Sequence, residues 1–279
     1  MTTADAKVNV ILEAKNLVKQ YTQRSGKFGF GQTKIKALDN VSISLKKGST
    51  LAVVGESGSG KSTLARCLLQ LHPFESGEVL FRGQALTKID SEALRKVRKN
   101  LQMIFQDPFA SLNPRMRVGE IVGEGLLIHG LGSAKVQLQK VHEMLERVGL
   151  NAEDAKKHPH QFSGGQRQRI GIARALVLEP EVVVCDEPVS ALDVSVQAQI
   201  LLLLKALQEE MQLSYIFITH DLRVVRHIAD EMVVMHKGKI VEKGEVETVY
   251  RSPQQLYTQD LLKAIPGQRH KLGKNIENF

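Results

Sequence analysis

An α/β fold is what this sequence predicts, and three observations predict it. A Gly-rich loop, Gly55-Glu56-Ser57-Gly58-Ser59-Gly60-Lys61-Ser62-Thr63, sits between the apolar run Leu51 to Val54 and an apolar-periodic helix carrying Leu64, Ala65, Cys67, Leu68 and Leu71. A second apolar run, Val182 to Cys185, ends in Asp186-Glu187. Between the two the texture changes from strand to helix after Gln106 and back again. The loop has the form G-x-x-x-x-G-K-[ST] in the strand-loop-helix setting that form requires. Its glycines let successive N–H groups turn into one concavity, and the helix N-terminus adds partial positive charge. Phosphate suits that cavity. Lys61 then reaches the β- and γ-phosphates as a point charge, and the Ser62 hydroxyl is placed to ligate Mg²⁺.

Bulk properties narrow the class. With 279 residues and 42% hydrophobic content, the chain can bury the core of one large domain. The N-terminus has no basic region followed by an apolar one, and no apolar run approaches the ~18 residues of a membrane span. We therefore expect neither export nor membrane insertion. Cys67 and Cys185 lack metal-type spacing and read as buried thiols in a reducing cytosol. The net charge of +8 is spread out, with short clusters at Arg95–Lys99 and Arg269–Lys274 and no basic stripe interleaved with aromatics. Solvated faces and attraction to an acidic membrane leaflet account for it better than nucleic acid.

Taken in order, Val8 to Val18 reads as a strand, and Ile35–Leu38 and Val41–Leu45 as short strands around a hairpin signal, Asp39-Asn40. Tyr21 and a polar stretch, Arg24 to Lys34, lie between them as an exposed loop. Strand Gly77–Phe81, helix Ser91–Val97 and strand Leu101–Phe105 follow the P-loop helix. Breakers at Asp107-Pro108 and Asn113-Pro114 precede helices over Val118–Ile128 and Ala134–Gly149, spaced i, i+3, i+4. Ser163-Gly164-Gly165-Gln166 then opens another helix, a second site with bare N–H groups and a positive dipole end. Strand Val182–Asp186 ends in a carboxylate suited to Mg²⁺, and Glu187, one residue on, can polarise a water. Read alone, that Asp-Glu pair could equally cap the next helix. Ser190 to Asp193 turns into helix Val196–Met211, and strand Tyr215–Thr219 ends at His220. Near the C-terminus, Ser252, Pro253 and Gln255 make a capping-box pattern for a helix to Ala264.

In this order the motifs resemble the ATP-binding cassette subunit of ABC transporters from Val8 to about Pro266. The matches are Walker A at Gly55–Thr63, the Q-loop at Gln106, the signature at Phe162–Gln166, Walker B at Val182–Glu187, the D-loop at Ser190–Asp193 and the switch histidine His220. Gln106–Arg115, Glu187–Ile200 and Ser252–Gln259 resemble the peptide and nickel importer branch. The resemblance implies a P-loop NTPase with a RecA-like core, an antiparallel β subdomain and an inserted α-helical subdomain. As one ABC ATPase domain over 1–279, it has core and β subdomain in 1–106 and 180–250, the helical insertion with the signature in 107–179, and a C-terminal helix and basic tail in 251–279. Leu256 stands where the branch usually has Pro, and the C-terminal cysteine cluster of many members is missing, which rules out an iron–sulfur centre of that kind.

The implied chemistry is ATP hydrolysis. Nucleotide would be held by Gly55 to Thr63, Gln106, and Ser163, Gly164, Gly165, Gln166 and Asp193, with Tyr21 where the family stacks an aromatic on adenine. The alternative for Tyr21 is a tyrosine satisfied within its own loop. Mg²⁺ would be held by Ser62, Gln106 and Asp186, and catalysis carried by Glu187, His220 and Lys61. About a hundred residues separate the P-loop from the Ser-Gly-Gly helix, so two subunits meeting head to tail would let both sites close on one ATP. Implied partners are transmembrane permease subunits, a second ABC ATPase (paired ATPases in this branch favour a heterodimer over a homodimer) and, indirectly, a solute-binding protein. The expected place is peripheral, on the cytoplasmic face of the inner membrane. Rival readings are a nucleic-acid-remodelling ABC ATPase, for which sustained heptads or a second cassette are missing, and a soluble non-transport ATPase. The cargo is not written in the sequence.

Overall fold

The computed structural model describes residues 9–25 and 31–265. The described part opens with strands β1 (Val10–Ser25) and β2 (Gly31–Lys46), then β3 (Thr50–Val54) and α1 (Lys61–Leu68). Strands β4 (Ser76–Phe81) and β5 (Gln84–Ala85), helix α2 (Ser91–Arg98), strand β6 (Leu101–Ile104) and the short helix α3 (Pro108–Ser111) follow. Next come α4 (Val118–Ile128), α5 (Ala134–Arg147), α6 (Gly164–Leu176), β7 (Val182–Asp186), α7 (Val194–Met211) and β8 (Ser214–Thr219). Helix α8 (Leu222–Ile228), strands β9 (Glu231–His236) and β10 (Lys239–Glu245), and helices α9 (Val246–Arg251) and α10 (Leu256–Lys263) complete the described residues.

Two compact units result. The first takes in residues up to Glu13, Ser44–Ser49 and Val79–Ile218. Here β6, β7 and β8 are parallel, with Leu101 opposite Val182 and Asp186 opposite Ile218. Every residue of β7 and β8 is buried, as expected of parallel strands covered on both faces. Helices α4, α5 and α6 pack on one another in the same unit. Cys185 is fully buried in β7, and burial pushes its thiol well up from the ordinary value.

The second unit comprises Ala14–Ile43, Thr50–Glu78 and the residues from Thr219 onward. Strand β3 runs parallel to β9 (Leu51 opposite Glu231, Val54 opposite Val234), and β9 pairs antiparallel with β10. Ala52 and Val54 of β3 lie in a core with Leu222, Val225, Met232, Val234, Val246, Val249 and Leu262, so the strand that feeds the Gly-rich loop rests on α8, α9 and α10. Cys67 is buried on α1, its thiol pushed up to about 11 by burial, so both cysteines are buried thiols as the sequence predicts.

Three local expectations change. Asp39-Asn40 is not a hairpin. Strand β2 runs straight through it, because Asn40 takes a left-handed conformation (φ 59°) that kinks the strand without reversing it, as asparagine tolerates. The predicted loop Arg24–Lys34 is strand at both its ends, within β1 and β2; residues 26–30 lie outside the described part, as does the basic cluster Arg269–Lys274. Finally, α10 begins at Leu256, not near Ser252. Glu242 of β10 accepts from the Gln254 and Gln255 amides (2.7 and 3.1 Å), so a long-range carboxylate holds the segment that the capping pattern would have started.

Candidate functional site

The Gly55–Thr63 loop is built as its sequence requires. Gly55 (φ 149°) and Gly60 (φ 107°) turn the backbone where side chains rarely go, and a Cβ there would lie 2.2 Å from Met235 O and 2.3 Å from Ala37 O respectively. Only glycine fits. Gly238 N–H ties the loop by donating to Ser59 O at 3.0 Å. The Lys61 side chain lies inside, 4% exposed, its ammonium donating to Gly55 O (2.8 Å) and Glu56 O (2.9 Å). The Ser59 hydroxyl is buried with no hydrogen-bond partner among the described residues. A cationic, glycine-turned cradle with an orphaned hydroxyl fits a phosphate chain. Two side chains missed in the sequence border the loop: the Tyr257 hydroxyl accepts from Glu56 N–H at 3.2 Å, and its ring packs on His236 with centroids 4.0 Å apart.

In the same unit, Tyr21 lies on β1, not in a loop, and is 40% exposed. Its hydroxyl is hydrogen-bonded to His72 Nδ1 (3.1 Å), and Lys19 Nζ stands 5.2 Å from its ring centroid. His220 is exposed in the turn after β8. The next residue, Asp221, caps α8 through Arg223 N–H (2.9 Å), and its hydrogen bond to the Arg223 guanidinium holds its carboxyl below the usual range.

In the other unit Asp186 ends β7 at 4% exposure, and Glu187 follows with φ 47°, a left-handed conformation costly for a residue with a Cβ. The strain is held by Glu187 N–H donating to Ile218 O (3.0 Å) and by Ser190 N–H and Oγ donating to Glu187 O (3.3 and 3.1 Å). The Gln106 side-chain amide donates to Glu187 Oε2 at 3.1 Å, which brings together two residues the sequence assigned separately. Neither Asp186 nor Glu187 caps a helix; Asp193 is the N-cap of α7, which removes the capping alternative.

Ser163 caps α6 reciprocally with Gln166: Ser163 N–H donates to Gln166 Oε1 (3.0 Å) and Gln166 N–H to Ser163 Oγ (3.3 Å). Gly164 and Gly165 thus occupy the first helical turn, whose amides point out of the helix end. A Cβ on Gly165 would lie 2.6 Å from Val196 Cγ1, so the glycine lets α6 start against the start of α7. Arg174 of α6 places its guanidinium 5.5 Å from the Phe105 ring centroid and donates to Ser111 O, tying the helix to both flanks of Gln106.

A Gly-rich loop wrapped around a buried lysine, with a strand-end Asp-Glu pair elsewhere in the fold, marks a nucleotide-hydrolysing protein of the P-loop class. The sequence profile described as ABC transporter matches residues 38–190. The chain is 50% identical over 272 residues to the oligopeptide transport ATP-binding protein AppF of Bacillus subtilis, covering 97% of this chain and 82% of that one. It is 52% identical over 265 residues to the dipeptide transport ATP-binding protein DppF of Haemophilus influenzae, covering 95% and 81%. Among solved structures, a dimeric, post-hydrolysis state of the ATP-binding cassette MJ0796 bound to ADP and Pi matches with a TM-score of 0.74 at 30% identity, covering 85% of this chain and 99% of that one. The chain belongs to the ABC transporter family, as a nucleotide-binding ATPase.

Proposed function

We propose that this ATPase powers a membrane importer for peptides or a related small solute such as nickel, and that it does so as one half of a head-to-tail dimer with ATP between the halves. The hydrogen bond from Gln106 to Glu187 carries the reading. It joins a carboxylate suited to activating water directly to the residue that leads into the helical insertion, 107–179, so the state of the γ-phosphate can be passed to a membrane subunit docked there. Among the described residues no helix is long and apolar enough to cross a membrane, and transmembrane permease subunits would supply the span. The transport names of AppF and DppF support this reading over a soluble ATPase.

In the proposed site Lys61 grips the β- and γ-phosphates, the Gly55–Thr63 loop cradles them, and the Tyr21 ring stacks on adenine. Ser163, Gly164, Gly165 and Gln166 of the opposite subunit close on the γ-phosphate, with Asp193 at the junction. Glu187 accepts the proton of the attacking water and His220 contacts the γ-phosphate. The oxygens of Ser62, Asp186 and Gln106 are hard donors of the type Mg²⁺ takes, and the bound ion would offset charge developing on the phosphates. Loss of the γ-phosphate removes the contacts that hold the halves together. The second half is a related ATPase in preference to a second copy, a solute-binding protein delivers the cargo, and the assembly sits on the cytoplasmic face of the inner membrane.

Ser163→Arg tests the sandwich by filling the α6 start with a bulky cation. ATP affinity of the isolated subunit is expected to stay within about twofold, while ATP-dependent dimerisation and hydrolysis are lost; the lost cap costs about 1 kcal/mol of stability. Hydrolysis at the parent rate would remove the signature segment from the site.

A further inference from the structure

We propose that Tyr257, on the C-terminal helix and outside the 38–190 segment matched by the family, is a positioning residue for ATP binding: its hydroxyl fixes the peptide plane whose carbonyl holds Lys61. The inference rests on the P-loop reading above and deepens it.

One peptide unit links Tyr257 to Lys61. The bond between Gly55 and Glu56 carries the Gly55 carbonyl at one end and the Glu56 N–H at the other. Lys61 Nζ donates to that carbonyl at 2.8 Å, and the Tyr257 hydroxyl accepts from that N–H at 3.2 Å. Gly55, at φ 149° and without a Cβ, offers little torsional resistance of its own. The plane is therefore oriented by its two partners, and hydrogen bonds at both ends of an amide polarise one another. Rotating it would move the carbonyl from which the phosphate-binding ammonium hangs.

Tyr257 is itself held. Its ring packs on His236, the last residue of β9, and the preceding Met235 carbonyl abuts Gly55. Tyr257, Leu261, Leu262 and Ile265 pack on the core that includes Ala52 and Val54, two residues of the strand leading into the loop. Burial pushes the phenol up from its ordinary value, so it is the neutral hydroxyl that accepts. The helix thus reaches the loop backbone through the Tyr257 hydroxyl, beside its packing on the strand that feeds the loop.

The test is Tyr257→Phe in the full chain, which keeps the ring on His236 and deletes only the hydroxyl. Tyr250→Phe is the control: Tyr250 packs on the same core, but its hydroxyl donates to Leu222 O, away from the loop. Steady-state ATP hydrolysis and nucleotide-free thermal melting are measured for both. For Tyr257→Phe, KM for ATP is expected to rise about three- to tenfold, the loss of one hydrogen bond, with kcat within about twofold of the parent. Tyr250→Phe should lower the melting temperature by about as much as Tyr257→Phe does and leave KM unchanged. A KM for Tyr257→Phe within twofold of the parent, or an equal rise in Tyr250→Phe, overturns the proposal. Lys61→Ala, assayed alongside for ATP binding, separates this from the reading beneath it: undiminished binding there would mean the P-loop assignment itself had failed.

Discussion

Glu187→Gln is expected to bind ATP as the parent does and to hydrolyse it about a hundred- to ten-thousandfold more slowly, the usual contribution of a positioned general base. The substitution is nearly isosteric and removes basicity. Gln106 donates to Glu187 Oε2 at 3.1 Å, and the carboxamide oxygen of a glutamine can accept the same bond, so the link survives. The three backbone-directed hydrogen bonds that hold the left-handed residue 187, from its own N–H to Ile218 and from Ser190 to its carbonyl, do not involve the side chain and also remain. What is lost is the group proposed to take the proton from water. The variant should therefore accumulate with ATP bound in a closed dimer. Single-turnover hydrolysis and sizing with ATP measure both halves of the expectation. A turnover near the parent rate would show that another group activates water.

Lys61→Ala is expected to weaken ATP binding by about 1.5–3 kcal/mol for a lost charge-assisted contact, roughly ten- to hundredfold. Two effects act together. In the proposed site the phosphate chain loses its buried countercharge, and the Gly55 carbonyl loses its Lys61 donor, while the Glu56 carbonyl keeps the Ser59 N–H at 3.2 Å. Lys61→Arg should rescue little, because a planar guanidinium does not fit a socket in which the lysine is 4% exposed. Equilibrium titration with ATP, beside a melting curve to show that each variant folds, reads the effect. Parent-like affinity in Lys61→Ala would place the nucleotide elsewhere.

How much could be read in the sequence depended on how local the interaction was. The strand-loop-helix of Leu51 to Leu68 and the helix Val118–Ile128 announce themselves through contiguous apolar spacing and glycine placement, and both stand where expected. The Ser163–Gln166 capping box is likewise a local pattern that forms. Asn40 misled because the same residue serves a turn and a left-handed kink within a strand, and the choice lies with the neighbouring strand. The start of α10 was lost to Glu242, which lies 12 and 13 residues before the two amides it accepts from, on a different element. The Gln106–Glu187 bond spans 81 positions and the Glu56–Tyr257 bond 201, and no periodicity encodes such pairs. Tyr257 belonged to a segment already singled out by its resemblance to importer subunits, but only the fold gives its hydroxyl a partner.

The most direct measurement is an affinity pull-down of tagged Glu187→Gln protein, held with ATP, from detergent-solubilised membranes of its own cell. Multi-span membrane proteins are expected to co-purify, together with a related second ATPase. Recovery of soluble proteins or nucleic acid alone would contradict the importer reading and leave only the ATPase chemistry standing.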